Sequence, residues 1–205
     1  MSSPKLSASL TTIVSGALIV SGIAPFDRLT WWMEVAPALI ALPLLIATHK
    51  RYPLTDLLAV LIALHCLVLI GGGAYTYARV PLGFWLQELL GTVRNPYDKI
   101  GHFMQGFVPA MIAREILLRG AYVRGRRMAA FLCICVAMMI SACYELIEWG
   151  AAVAMGQGAD EFLGTQGDEW DTQSDMLMAL IGSSCAMLFL SRWHDRQLAK
   201  FSRND

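Results

Sequence analysis

Charged positions in this chain are so widely spaced that the apolar stretches between them approach the thickness of a bilayer. Positions 10–26 form an uncharged run of 17 residues, 57–78 one of 22, 128–144 one of 17 and 176–191 one of 16. A shorter run at 35–47 is extended by Trp31 and Trp32, and 100–113 reaches 118 past Arg114 and Glu115. A spanning helix needs roughly 20 such residues. The pattern predicts an all-α, polytopic membrane protein, a six-transmembrane-helix bundle forming a single integral-membrane domain over 1–205. Its helices are expected at about 10–26, 31–47, 55–78, 100–118, 128–150 and 173–191. The first run also admits reading as a signal peptide, because Lys5 precedes an apolar stretch ending near Ala24.

Between the third and fourth runs, Leu82, Trp85, Leu86, Leu89 and Leu90 recur at helical spacing after Pro81. Two readings fit: a short amphipathic helix lying in the membrane interface, or a capping helix packed on the bundle. Gly156, Gly158, Gly164 and Gly167 punctuate the connection between the fifth and sixth runs. They are turn formers, in a loop long enough to close over a site.

Composition agrees with the pattern. The chain is 56% hydrophobic and 16% charged, with a mean hydropathy of +0.51. Soluble domains carry about 25% charged residues, so this one lacks the charge to cover a water-facing surface. Disorder, collagen-like repeats and a disulfide scaffold are excluded by the same figures. A net charge of zero and a pI near 6.9 give no basic footprint for nucleic acid. The implied partner is the lipid bilayer.

Sorting the Lys and Arg by side orients the chain. One face collects Lys5, Lys50, Arg51, Arg119, Arg124, Arg126, Arg127, Arg192, Arg196, Lys200 and Arg203; the other has only Arg28, Arg79, Arg94 and Lys99. The positive-inside rule then predicts that both termini are cytoplasmic. Positions 128–191 lack Lys and Arg entirely but hold eight carboxylates, so their outer connection is acidic.

Ionisable groups at membrane depth are expensive and are functional candidates by default. Asp98 and His102 are four residues apart where the fourth helix enters from outside, and i and i+4 share a helix face. Glu145 and Glu148 are three apart near the outer end of the fifth helix, and Asp171 and Asp175 open the sixth, with Asp168 one turn earlier. Three helix ends thus offer paired groups to one outer pocket, with Trp149 and Trp170 expected as its walls. His102, Glu145, Glu148, Asp171 and Asp175 are the ligands expected for a divalent metal ion, an oxygen-plus-imidazole set compatible with Mg, Mn or Zn. Without a metal, Asp98 with His102 makes a general-base pair and a protonated Glu an acid. A purely structural reading stands beside this. Asn95, Pro96 and Asp98 are helix-starting residues, and the macrodipole favours Asp171 and Asp175 at a helix N-terminus. Arg114 and Glu115 are expected to snorkel, and His65 to be a hydrogen-bonded core histidine. The five cysteines show no metal-type spacing and read as small apolar filler.

Three segments carry a resemblance. Asn95-Pro96-Tyr97-Asp98-Lys99-Ile100-Gly101-His102-Phe103, Tyr144-Glu145-Leu146-Ile147-Glu148-Trp149, and Gln166-Gly167-Asp168 through Trp170-Asp171-Thr172-Gln173-Ser174-Asp175-Met176 resemble the YjdF-like family of bacterial inner-membrane proteins. The likeness covers nearly the whole chain. It implies the membrane topology and assigns no reaction. A fainter similarity is to VanZ-like membrane proteins, through Asp98, Lys99, His102, a later Glu (Glu145 or Glu148), and Asp175 with Ala179 and Gly182; the Asn that tends to follow that Asp is missing here.

Three functions fit these residues. The first is an enzyme at the outer leaflet, a metal-dependent hydrolase or transferase on a lipid-linked or envelope substrate, with Asp98, His102, Glu145, Glu148, Asp171 and Asp175 as ligands or acid/base groups. The second is an ion-coupled carrier and the third a membrane scaffold. A carrier needs polar groups near the midplane, whereas these gather at one end, which favours an enzyme or a binding site over a carrier.

Overall fold

The computed structural model describes residues 3–155 and 166–201. Among them every regular element is helical: α1 (Pro4–Ile23), α2 (Arg28–Thr48), α3 (Asp56–Tyr75), α4 (Pro81–Leu90), α5 (Tyr97–Arg119), α6 (Arg126–Met155) and α7 (Asp171–Cys185), which runs through a π-helical turn (Ala186–Leu190) into α8 (Ser191–Leu198). Gly156, Gly158 and Gly164 lie outside the described residues.

Local chemistry sets the helix starts. Ser3 accepts from the Leu6 amide at 3.1 Å, Asp27 from Thr30 at 2.7 Å and Thr55 from Leu58 at 3.2 Å, each capping one of the first three helices. The Thr30 amide also holds the Asp27 carboxyl below its ordinary value. Helix α1 starts six residues earlier than the apolar run implies, because Ser3 and Pro4 supply a cap and a first-turn proline. Its Val14 is buried in the core, and α1 packs on α3. Helix α3 ends at Tyr75, short of 78, because Thr76 and Tyr77 turn left-handed with φ of 58° and 47°.

Four helices, together with the continuous α7–α8 rod (Asp171–Leu198), are long and apolar enough to cross a membrane. Helix α5 is the exception to the six-run reading. It has 23 residues but carries Asp98, Lys99, Arg114, Glu115 and Arg119. Its position explains this: α5 packs against α3, α6 and α7, so its polar side chains meet protein rather than lipid. Outward faces are apolar, as with Ile19, Val20 and Ile23 of α1 and Leu188 and Phe189 of the π turn. Helix α4 leaves Leu82, Trp85, Leu89 and Leu90 exposed and buries Gly83, an apolar exposure that fits an interfacial helix.

The α5–α7 contact is the tightest. A Cβ on Gly106 would lie 1.9 Å from the Ala179 carbonyl oxygen, and one on Gly182 would lie 2.1 Å from that of Phe103. Each glycine lets the other backbone into the space a side chain would fill. Gly106→Ala and Gly182→Ala are therefore expected to force the helices apart and to destabilise the protein by about 1–3 kcal/mol each. Gly16→Ala meets nothing within 4 Å, and is expected to leave stability unchanged or raise it by up to about 1 kcal/mol. Thermal unfolding in detergent checks all three.

Candidate functional site

The close α5–α7 approach sets Asp98, Lys99 and His102 of α5 against Asp171 and Asp175 of α7. Lys99 Nζ lies 2.6 Å from Asp175 Oδ1, 2.9 Å from Asp171 Oδ1 and 2.6 Å from Ser174 Oγ. Arg94 reaches Asp171 Oδ1 at 2.6 Å and Asp168 at 3.1 Å. Asp171 is thus held between two cations at a helix start, as the structural reading expects.

The other carboxylate oxygens turn toward the imidazole. His102 Nε2 lies 3.4 Å from Asp98 Oδ1 and 3.8 Å from Asp175 Oδ2. On its far side Nδ1 is 3.2 Å from Gln105 Oε1 and 3.7 Å from Glu145 Oε1. One potential ligand atom from each of Asp98, His102 and Asp175 lies within 4.8 Å of the others. Asp98, His102, Glu145 and Asp175 are all buried, and Asp98 Oδ2 and Glu145 Oε1 have no hydrogen-bond partner. Glu148 is half-buried one turn along α6 and electrostatically coupled to Glu145, His102 and Asp98. The structure therefore brings Asp98, His102, Glu145 and Asp175 together, with Glu148 beside them and Asp171 engaged by Lys99 and Arg94.

Trp149 and Trp170 do not wall this centre. They are 66% and 69% exposed, which suits amphipathic rings at the membrane boundary. A carboxylate outside the expected set joins instead. Glu34 of α2 is buried, electrostatically coupled to Asp98 and His102, and stands beside Tyr77. Tyr77 sits where Gly72 and Gly101 leave room, since a Cβ on either would lie 2.2 Å or 2.7 Å from its ring. Burial, then the Glu34 charge, raises its phenol well above the ordinary value. Glu34 is the one carboxylate between Trp31 and Ala47, and that solitary position was its sequence signal.

Comparison with known proteins decides the relationship. Residues 6–196 match the family described as "Predicted membrane protein (DUF2238)". The chain belongs to that family. It is also 65% identical over 184 residues, 90% of this chain and 88% of the relative, to "Inner membrane protein YjdF" of Escherichia coli (strain K12). No solved structure matches. The match and the apolar helices together place this DUF2238 protein in the bacterial inner membrane.

The family member holds a second polar centre at the other end of α5, where Arg114 and Glu115 do not snorkel. Glu115 is fully buried. Its Oε2 accepts from Thr55 Oγ1 at 2.7 Å and lies 2.9 Å from His194 Nε2, while Oε1 takes the Thr55 amide at 3.1 Å and Arg119 at 3.0 Å. Arg114 Nη1 is 2.8 Å from His194 Nδ1, and Arg114 also pairs with Asp195. A guanidinium can only donate, so His194 Nδ1 accepts and Nε2–H donates to Glu115. The sequence pattern missed His194 because the last apolar run stops at 191, while the helix continues through Leu198. Two further expectations change. His65 is half-buried, with Nε2 lacking a hydrogen-bond partner. Cys66 and Cys133 are buried filler, whereas Cys135 and Cys143 face outward.

Removing one member of a buried ionic network strands the rest. Glu115→Ala is expected to destabilise the protein by about 3–5 kcal/mol. Adding His194→Ala is expected to cost less than the sum of the single changes by about 0.5–3 kcal/mol. A double-mutant unfolding cycle measures this coupling, and strict additivity would show the two residues to be independent.

Proposed function

We propose that the acidic centre at the outer end of α5 binds a divalent metal ion and serves an enzyme acting at the outer leaflet, by hydrolysis or group transfer on a lipid-linked or envelope substrate. One observation carries the reading: single ligand atoms of the buried Asp98, His102 and Asp175 lie within 4.8 Å of one another, in a centre where an acid excess faces few cations. Glu34, Asp98, Glu145, Glu148, Asp171 and Asp175 gather around Lys99, Arg94 and His102. Buried carboxylates gathered in excess of cations are costly, and a dication relieves them.

Within this reading Asp98 Oδ1, His102 Nε2 and Asp175 Oδ2 form the first coordination set. Gln105 and Glu145, on the Nδ1 side, orient the ring as outer partners of a metal-bound histidine do. Lys99 holds Asp175 by its other oxygen and so fixes the carboxylate without competing for the same atom. Glu148, half-buried, has the access a general base needs. A bound dication would supply Lewis acidity and a water of lowered pKa.

The carrier reading draws support from the second polar centre. Thirteen residues, about 20 Å of helix, separate His102 from Glu115. The α5 positions between them include Val108, Ala110 and Met111, all fully buried and apolar, which favours a closed end over a path.

Purified protein is expected to retain about one divalent ion per chain by elemental analysis. Asp98→Asn, His102→Ala and Asp175→Asn are expected to lose it while melting as cooperatively as the parent, with Glu148→Gln retaining metal. Equal content near zero in every variant would remove the metal reading. Loss of folding in all three would favour the scaffold.

The same proposal takes α5 as a sixth crossing, with both termini cytoplasmic. Green fluorescent protein fused at either end is then expected to fluoresce, and alkaline phosphatase at either end to stay inactive. An active C-terminal phosphatase would reverse the topology.

A further inference from the structure

At the basic end of the bundle, remote from the acidic centre, two cavities open side by side. One of about 870 Å³ lies among α2, α3 and α5. The other, about 540 Å³, lies among α1, α2 and α3. Leu45, Tyr52, Leu54 and Ile62 line both, forming a partition between them. Both volumes fall in the ordinary range of ligand sites, roughly 300–1,000 Å³.

The larger cavity combines apolar walls with a cationic mouth. Arg51 and Arg119 line it, and Glu115, its acidic lining residue, is saturated by Thr55, His194 and Arg119. Arg119 is held in place: Nη1 donates to the Pro53 carbonyl at 2.7 Å and to Glu115 at 3.0 Å, and the guanidinium stacks 3.7 Å from the Tyr52 ring and 4.1 Å from Phe201. Both hydrogen bonds use Nη1, so Nη2 and Nε remain for a ligand. Lys50 precedes Arg51 in the chain, and Arg124, Arg126 and Arg127 follow α5, with Arg126 paired to Asp195. A small soluble anion would leave the apolar volume empty, and a neutral lipid would leave the arginines unused.

We propose that the paired cavities hold an anionic diacyl phospholipid from the adjacent leaflet. Its phosphate sits at Arg51 and Arg119, one acyl chain enters the α2–α5 groove, and the other lies beyond the partition, along α1. Basic pockets between membrane helices recognise anionic headgroups through this combination of charge and apolar volume. The inference does not depend on the metal reading of the opposite end.

Native mass spectrometry of the detergent-solubilised full chain tests it, with dioleoyl phosphatidylglycerol or dioleoyl phosphatidylcholine added at equal concentration. Retention of phosphatidylglycerol is expected to exceed that of phosphatidylcholine by about fivefold for each engaged arginine. Arg51→Glu is expected to bring phosphatidylglycerol down to the phosphatidylcholine level. Ile116→Trp, on an exposed wall of the groove, is expected to reduce both, and Leu82→Trp on α4 neither. Melting curves verify that each variant is folded. Equal retention of the two lipids by the parent protein, no adduct with either, or full retention in Arg51→Glu and Ile116→Trp would each overturn the proposal.

Discussion

The backbone contact between α5 and α7 is what the rest of the molecule depends on. Gly106 and Gly182 remove two side chains from the seam, and the helices close until carbonyl oxygens occupy the vacated space. In a bilayer no hydrophobic force drives helices together, so association relies on close packing and on hydrogen bonds made at short range. The seam supplies the first directly. It makes the second possible, because only helices this close can set Lys99 between Asp171 and Asp175.

The two ends of α5 treat buried charge in opposite ways. Around Glu115, acceptor and donor are matched: hydroxyl, amide, imidazole and guanidinium each meet a carboxylate oxygen. Such a network rigidifies and leaves its carboxylate nothing to offer a cation. Around His102 the matching is incomplete, with carboxylate oxygens of Asp98 and Glu145 left without donors. Selection tolerates a cost of that kind where something else completes the set, which is why the proposed chemistry sits at the His102 end of α5 and not at the Glu115 end.

Much of the fold was legible because lipid imposes a simple rule on sequence, and uncharged runs located the helices to within several residues. The pairs Asp98–His102 and Asp171–Asp175 were legible for a related reason: i, i+4 spacing fixes a shared face without any tertiary knowledge. Glu34 showed only as a solitary carboxylate in an apolar run, and Tyr77 not at all, since it reaches the site through a left-handed turn and the room left by Gly72 and Gly101. The Glu115 network was hidden more thoroughly. Glu115 and His194 are 79 residues apart, and Arg192, His194, Asp195 and Arg196 look like a solvated tail when read alone.

The π turn at Ala186–Leu190 solves a problem of angular bookkeeping. Asp175 and His194 are nineteen residues apart, which on a regular α-helix is five full turns plus one residue, leaving the two side chains about 100° out of phase. A single π turn absorbs one surplus residue. The remaining eighteen positions make a whole number of turns, so both residues project toward α5 from one azimuth. The π turn thus acts as a gear tooth that couples the angular settings of both ends of the rod.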